Sequence, residues 1–164
     1  MNRILLAAGA ALLLSGCMSL SRSSTVTALP TADASQLKVS EIKLTVADGV
    51  KVSPKFEDIF RQHVQAKLDA CAKGERPVRL EAKVDRLDKS NAVMTAIVAG
   101  ANVLRGSARL VDVGSGAVVA DYQVGQTVVG RSVAVVVMAK AEEQLSDGFG
   151  DELCKQAFPK PVVK

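Results

Sequence analysis

Three segments of the chain alternate apolar and polar side chains, and this pattern constrains the fold more than any other feature. They span residues 78–85, 104–110 and 118–124. In a β-strand, successive side chains point to opposite faces, so each segment presents one apolar and one polar face. The alternation therefore predicts an antiparallel sheet that is covered on a single side.

A further strand and a helix are predicted ahead of these segments. Alternation within Leu37–Val46 indicates the strand. Ser53 is a good helix N-cap and Pro54 suits the first helical position. Apolar residues then recur at three- and four-residue spacing over Phe56–Cys71, and Gly74 is placed to cap the helix end.

Helical spacing returns near the carboxyl end, from Ser132 to about Gln156. Between the last two strands, Gly114-Ser115-Gly116 predicts a tight hairpin turn. The fold class expected is therefore an α+β two-layer sandwich. It has an antiparallel sheet of about four strands and two helices on one face, in the order β-α-β-β-β-α.

The amino terminus combines three features in order. Met1-Asn2-Arg3 is a short basic start, and Ile4–Leu14 is an apolar run. This run is well short of the roughly 20 residues that span a hydrocarbon core. The sequence Leu14-Ser15-Gly16-Cys17 follows.

These four residues resemble the lipobox of bacterial lipoproteins. The resemblance implies that Cys17 carries a diacylglycerol, that the chain is cut just before it, and that the new amine is acylated, for example with palmitate. Met18 and Ser19 follow in place of the Asp that retains lipoproteins in the inner membrane of enteric bacteria. The implied location is the outer membrane, with the domain facing the periplasm. A plain signal peptide with a chance cysteine is the alternative.

The 164-residue chain is long enough for one domain and hardly for two. We expect a signal peptide over 1–16, and the lipidated cysteine with a flexible tether over 17–37. A single domain over 38–158 and a tail over 159–164 complete the chain. The tether is predicted because its Ser, Thr and Ala residues show no hydrophobic periodicity.

Two cysteines, Cys71 and Cys154, remain once Cys17 is lipidated. In an oxidising compartment the simplest outcome is a disulfide between them. Two separate buried thiols are the alternative. A metal site is disfavoured because His63, the only histidine, cannot complete a tetrahedral set, and we expect no cofactor.

The segment Asp112-Val113-Gly114-Ser115-Gly116-Ala117-Val118-Val119 resembles the turn and valine-rich strand of small periplasmic helix-on-sheet domains. These occur in envelope lipoproteins related to the curli-secretion lipoprotein and in the N-terminal domain of TolB. The resemblance implies an envelope-assembly or accessory role, and it transfers no catalytic residue.

Composition argues against two function classes. Aromatic residues make up 3% of the chain and its basic residues are dispersed, which disfavours nucleic-acid binding. No enzyme is predicted, because His63 fits a half-buried structural residue and no Gly-x-Ser-x-Gly elbow is present. The carboxylate pairs Glu57-Asp58, Glu142-Glu143 and Asp147/Asp151 fit solvated helix faces.

Two nearly uncharged segments, 91–101 and 127–139, contain more apolar residues than a strand with one buried face requires. They form either close-packed core or an exposed apolar patch for a partner, for self-association or for lipid. The residues that would carry such a patch are Val93, Ile97, Val98, Val133, Val135 and Val136.

The leading hypothesis is a non-catalytic scaffold or accessory subunit that is held to the membrane by its lipid and binds an envelope protein. The alternative is a binding module for peptidoglycan, lipopolysaccharide or lipid. It would use the basic residues of the exposed sheet face, Arg79, Lys83, Arg105 and Arg109.

Overall fold

The computed structural model describes residues 18–91, 100–130 and 140–159. Within these ranges, six strands form one mixed sheet and three helices accompany it. The strands are β1 (Met18–Ser21), β2 (Ser24–Thr27), β3 (Leu37–Val46), β4 (Arg76–Asp88), β5 (Gly100–Asp112) and β6 (Val118–Gly130). The helices are α1 (Thr31–Ala34), α2 (Phe56–Cys71) and α3 (Ala141–Ala157).

The strand order across the sheet is β1-β6-β5-β4-β3, and β2 pairs with β6 on the same side as β1. The strands β4, β5 and β6 form an antiparallel meander, whereas β3 pairs with β4 in parallel. Helices α2 and α3 cover one face. The other face is open, and polar side chains alternate along it.

The predicted four-stranded antiparallel sheet with two helices is therefore wrong in strand number, helix number and strand direction. Helix α2 lies between β3 and β4 in the chain and returns it to the end of the sheet where β3 began. Such a crossover connection joins parallel strands. Alternation predicts which face of a strand is buried, but it does not predict whether the neighbouring strand runs parallel or antiparallel to it.

The tether predicted over residues 17–37 is corrected as well. Residues 18–27 form β1 and β2, and both pair with β6. Every residue of these two strands is exposed, so neither strand has a buried apolar face that would mark it as part of the core. Their backbone hydrogen bonds to β6 hold them in the sheet.

Helix α2 begins at Phe56, two residues later than a Ser53 N-cap predicts. Lys55 is its N-cap and makes no side-chain cap bond. The hydroxyl of Ser53 instead donates to Glu142 on α3, at 2.5 Å. At the other end, the Ala72 amide donates to the Leu68 carbonyl at 2.7 Å, and Gly74 is not the cap.

The core lies between the helices and the sheet. Helices α2 and α3 run side by side in the same direction, since Lys67 reaches Asp151 and Cys71 reaches Cys154. The rings of Phe60 and Phe149 meet edge to face, with centroids 5.0 Å apart. The largest fully buried side chains are Tyr122, Phe56, Phe60, Phe149, Leu37, Leu68, Leu80, Leu104, Leu110, Leu145 and Leu153.

The predicted hairpin between β5 and β6 is confirmed. Gly116 has a φ of 71°, and the Asp112 carboxylate accepts hydrogen bonds from the Ser115 amide and hydroxyl, both at 2.8 Å. The predicted helix from Ser132 is described only from Ala141 onward. None of the helices in the described ranges is both long and apolar enough to cross a membrane.

Candidate functional site

The residues that directly follow Cys17 build one edge of the sheet. Strand β1 starts at Met18, one residue after Cys17, and pairs with residues 126–129 of β6. Strand β2 continues along the same edge of β6 over residues 121–123. We call β1 and β2 together the N-terminal edge. It brings the folded domain to within one residue of the predicted lipidation site.

Alternation along β1 places its two serines towards the helices. Ser19 and Ser21 lie opposite Val128 and Gln126, which are buried on the helix-covered face. The Ser21 hydroxyl donates to the Glu152 carboxylate on α3. The Gln126 amide donates to the Ser19 hydroxyl. These contacts join the N-terminal edge to α3 through side chains.

Glu152 is a buried carboxylate that is held charged. Burial by itself would raise its pKa, but hydrogen bonds from Lys155 and Ser21 outweigh that cost and lower the pKa. The Lys155 ammonium lies 2.7 Å from the carboxylate. The anionic form is the better acceptor for the Ser21 hydroxyl, so the charge strengthens the link between β1 and α3.

Gly125 permits the close approach of the segment between β1 and β2 to β6. The Arg22 amide donates to the Gly125 carbonyl at 2.8 Å, and the Gly125 amide donates to the Ser23 hydroxyl at 3.0 Å. A Cβ on Gly125 would lie 2.4 Å from the Arg22 carbonyl oxygen. The close approach of the two backbones therefore requires glycine.

After β2, a buried tyrosine holds the chain against the sheet. The Leu29 amide donates to the Tyr122 hydroxyl at 3.2 Å. Tyr122 is fully buried, and burial raises the pKa of its hydroxyl. The Leu29 amide thus gives the buried hydroxyl the hydrogen-bond partner that it needs.

A groove of about 480 Å³ lies between β1, β6 and α3. Val128 and Gly148 contribute apolar surface to it. The polar and charged residues that line it are Ser19, His63, Gln126, Lys140, Glu143, Gln144, Asp147, Asp151, Glu152 and Lys155. The lining includes four carboxylates and two lysines, so the groove has no single charge sign.

His63 takes part in a ladder of polar contacts between the two long helices. Its Nδ1 lies 3.1 Å from the Asp147 carboxylate. One turn further along, the Lys67 ammonium lies 3.2 Å from Asp151 and 3.9 Å from Asp147. His63 is about one quarter exposed. The ladder fits the predicted structural role, because each group has a partner on the facing helix.

Glu142 departs from the predicted solvated helix face. Its side chain is 9% exposed. It accepts hydrogen bonds from the Ser53 amide and hydroxyl, and Lys89 lies 3.0 Å away. Burial would raise its pKa, but these bonds outweigh the burial and lower it. Glu142 therefore connects the start of α3 to the loop before α2. The spacing of residues along the helix does not predict this role.

Three of the four basic residues on the open sheet face lie beside a carboxylate. Arg79 lies 3.0 Å from Glu81, Lys83 lies 2.8 Å from Asp85, and Arg109 lies 3.9 Å from Asp121. Arg105 donates to the carbonyls of Leu104 and Gln126. The four residues share a face, as the alternation predicts, but they do not form a uniformly cationic surface.

The residues predicted to form an apolar patch lie outside the described residues. They are Val93, Ile97, Val98, Val133, Val135 and Val136. Their role as a binding surface stays a prediction. For metal binding, no group of three or more His, Cys, Asp or Glu side chains is suitably placed in the part of the chain that the structure describes.

Two cysteines that are 83 positions apart meet at the far ends of α2 and α3. Cys71 and Cys154 form a disulfide, with their Cα atoms 5.9 Å apart. The predicted pairing is confirmed. It depends on the parallel run of the two helices, which brings their carboxyl ends together.

Comparison with known proteins defines the class. Residues 1–17 match the family model for the prokaryotic membrane lipoprotein lipid attachment site. The chain is therefore a lipoprotein that is anchored to a membrane through its lipid, as Leu14-Ser15-Gly16-Cys17 predicts. No curated protein matches the sequence significantly.

Several solved structures resemble the fold at low sequence identity. A PelC dodecamer from Paraburkholderia phytofirmans is 17% identical, with a TM-score of 0.47 over 85% of this chain and 99% of that one. A protein from Xanthomonas campestris assigned to DUF330 is 17% identical, with a TM-score of 0.49 over 79% and 89%. A lipoprotein candidate from Caulobacter crescentus is 13% identical, with a TM-score of 0.44 over 76% and 89%. At these values neither function nor assembly transfers to this chain.

Proposed function

We propose that this lipoprotein resides in the outer membrane with its domain facing the periplasm. There it acts without catalysis, as a scaffold or accessory subunit that binds an envelope protein in the groove. One observation carries the proposal: β1, which begins directly after Cys17, contributes Ser19 to the wall of the groove. A partner held in the groove is therefore held beside the leaflet.

The chemistry of the groove supports a binding role. Val128 and Gly148 supply apolar area, while charged residues of both signs surround it. Protein interfaces combine an apolar centre with a polar rim in this way. At the α2 side of the groove, His63 pairs with Asp147 of α3, so each of these two groups has a partner within the domain.

The test is site-specific photocrosslinking in intact cells. A photoreactive residue at Lys140, which is 65% exposed at the groove, is expected to give one discrete protein adduct. The matched control places the same residue at Gln62, which is exposed on α2 and does not line the groove. Equal labelling from both positions, or no adduct from Lys140, would contradict the proposal.

A further inference from the structure

Alternation along β1 also determines what faces away from the helices. Met18 and Leu20 lie opposite Val129 and Thr127 of β6. Val128, which lies between Thr127 and Val129, is buried on the helix-covered face. Met18 and Leu20 therefore project from the open face, because successive side chains of a strand point to opposite faces. Met18 is 63% exposed and Leu20 is 49% exposed. Two large apolar side chains thus stand in solvent at the start of the domain.

Neighbouring strands extend this apolar surface. Val129 of β6 lies opposite Ala101 of β5, and Thr127 lies opposite Val103. We call Met18, Leu20, Ala101, Val103 and Val129 the apolar corner. Ala101 is exposed, and Val103 and Val129 are half-buried. Contiguous exposed apolar surface of this kind marks a site that contacts a partner or a membrane.

The position of the apolar corner relative to Cys17 favours the membrane as its binding partner. The lipid on Cys17 fixes that residue at the leaflet surface. Leu20 is three residues further along an extended strand, so it lies within roughly 10 Å of Cys17. Apolar side chains of interfacial segments reach about 5–10 Å into the boundary between headgroups and acyl chains. The corner therefore lies within reach of this boundary.

We propose that the apolar corner inserts into the headgroup region of the leaflet that holds the lipid on Cys17. The sheet then stands with this end on the membrane, and the hairpin between β5 and β6 points away. The inference depends on the lipid anchor and not on the partner proposed for the groove. The contact is apolar, so it differs from cationic binding by the open face.

The chain contains no tryptophan, which allows a single-tryptophan test. Lipidated full-length Leu20→Trp protein is reconstituted into vesicles of phosphatidylethanolamine and phosphatidylglycerol, with or without bromine on the acyl chains. The brominated vesicles are expected to quench most of the tryptophan emission, and high salt is expected to leave the quenching unchanged.

The matched control is Val118→Trp. Val118 is 50% exposed, close to the value for Leu20, but lies at the opposite end of β6. It is eleven residues from Val129, or roughly 37 Å along an extended strand, so brominated lipid is expected to leave its emission unchanged. Formation of the Cys71–Cys154 disulfide in both variants reports that they fold.

Two outcomes would overturn the proposal. Equal emission at Leu20→Trp in plain and brominated vesicles would place the corner outside the leaflet. Emission that shifts to the blue with rising protein density, and that bromine does not quench, would assign the corner to a second copy of the chain. Neither result would bear on photocrosslinking at the groove.

Discussion

At the scale of single residues, the carboxylates of the two long helices divide into exposed and buried groups. Glu57 lies on the surface of α2 and pairs with Arg61 at 2.6 Å, as a solvated helix face requires. Glu142 and Glu152 are buried and hold α3 to other elements. Local sequence does not separate these cases, because burial depends on which element packs opposite.

Asp112 gives a prediction at this scale. Hydrogen bonds from the Arg76 guanidinium, and then from the Ser115 amide and hydroxyl, lower the pKa of its carboxyl to about 2. A carboxyl with a lowered pKa stabilises the fold above its unfolded pKa of about 4. The stabilisation is lost as the pH falls through the folded pKa. The relevant window is therefore between about pH 4 and pH 2.

We expect Asp112→Asn to lower the urea midpoint at pH 7. The difference from the native chain should shrink between pH 4 and pH 2, where the native carboxyl becomes protonated. The matched control is Asp48→Asn, because Asp48 is exposed and directly precedes Gly49, which also has a positive φ. An Asp112→Asn difference that stays constant down to pH 2 would refute this assignment.

At the scale of elements, burial against the helices explains the core strands, whereas pairing with β6 explains the N-terminal edge. Strands β4, β5 and β6 each bury one face against α2 and α3, so their alternation is strong. All residues of β1 and β2 are exposed, and the pairing with β6 decides their conformation. Helix α2 starts at Phe56 because Ser53 bonds to Glu142 instead of capping its own helix.

Gly125→Val is the prediction for this scale. The new side chain would meet the Arg22 carbonyl, so we expect β1 and β2 to separate from β6 while the rest of the sheet stays folded. Hydrogen exchange of the amides in residues 18–27 should rise strongly, and exchange in β4 should change little. In Gly114→Ala the new Cβ lies 3.5 Å from the Asp112 carboxylate, an ordinary contact, and this control should exchange like the native chain. Uniformly faster exchange in Gly125→Val would indicate global destabilisation instead.

At the scale of the whole molecule, one covalent link closes most of the domain. The Cys71–Cys154 disulfide spans 83 positions and joins the far ends of the two long helices. Loop-closure entropy gives an upper value of about 4 to 5 kcal/mol for such a link. The lipid at one end of the molecule and the disulfide at the other thus constrain opposite ends of the fold.

We expect the double variant Cys71→Ala/Cys154→Ala to fold with a free energy of unfolding lower by about 2–4 kcal/mol. Urea unfolding of the native chain with and without reductant should give a similar loss. Reductant should not affect the double variant, which controls for other effects of the reagent. A native chain whose unfolding is insensitive to complete reduction would show that the link adds no stability.

The sequence by itself determined the lipid attachment site and the sidedness of the core strands and helices. These features depend on residue type and local period, which are present in the chain before it folds. The tertiary structure alone decided that β3 runs parallel to β4, that residues 18–27 join the sheet, and that Glu142 is buried. Each of these depends on which distant segment lies alongside, and that choice is made by packing the whole domain.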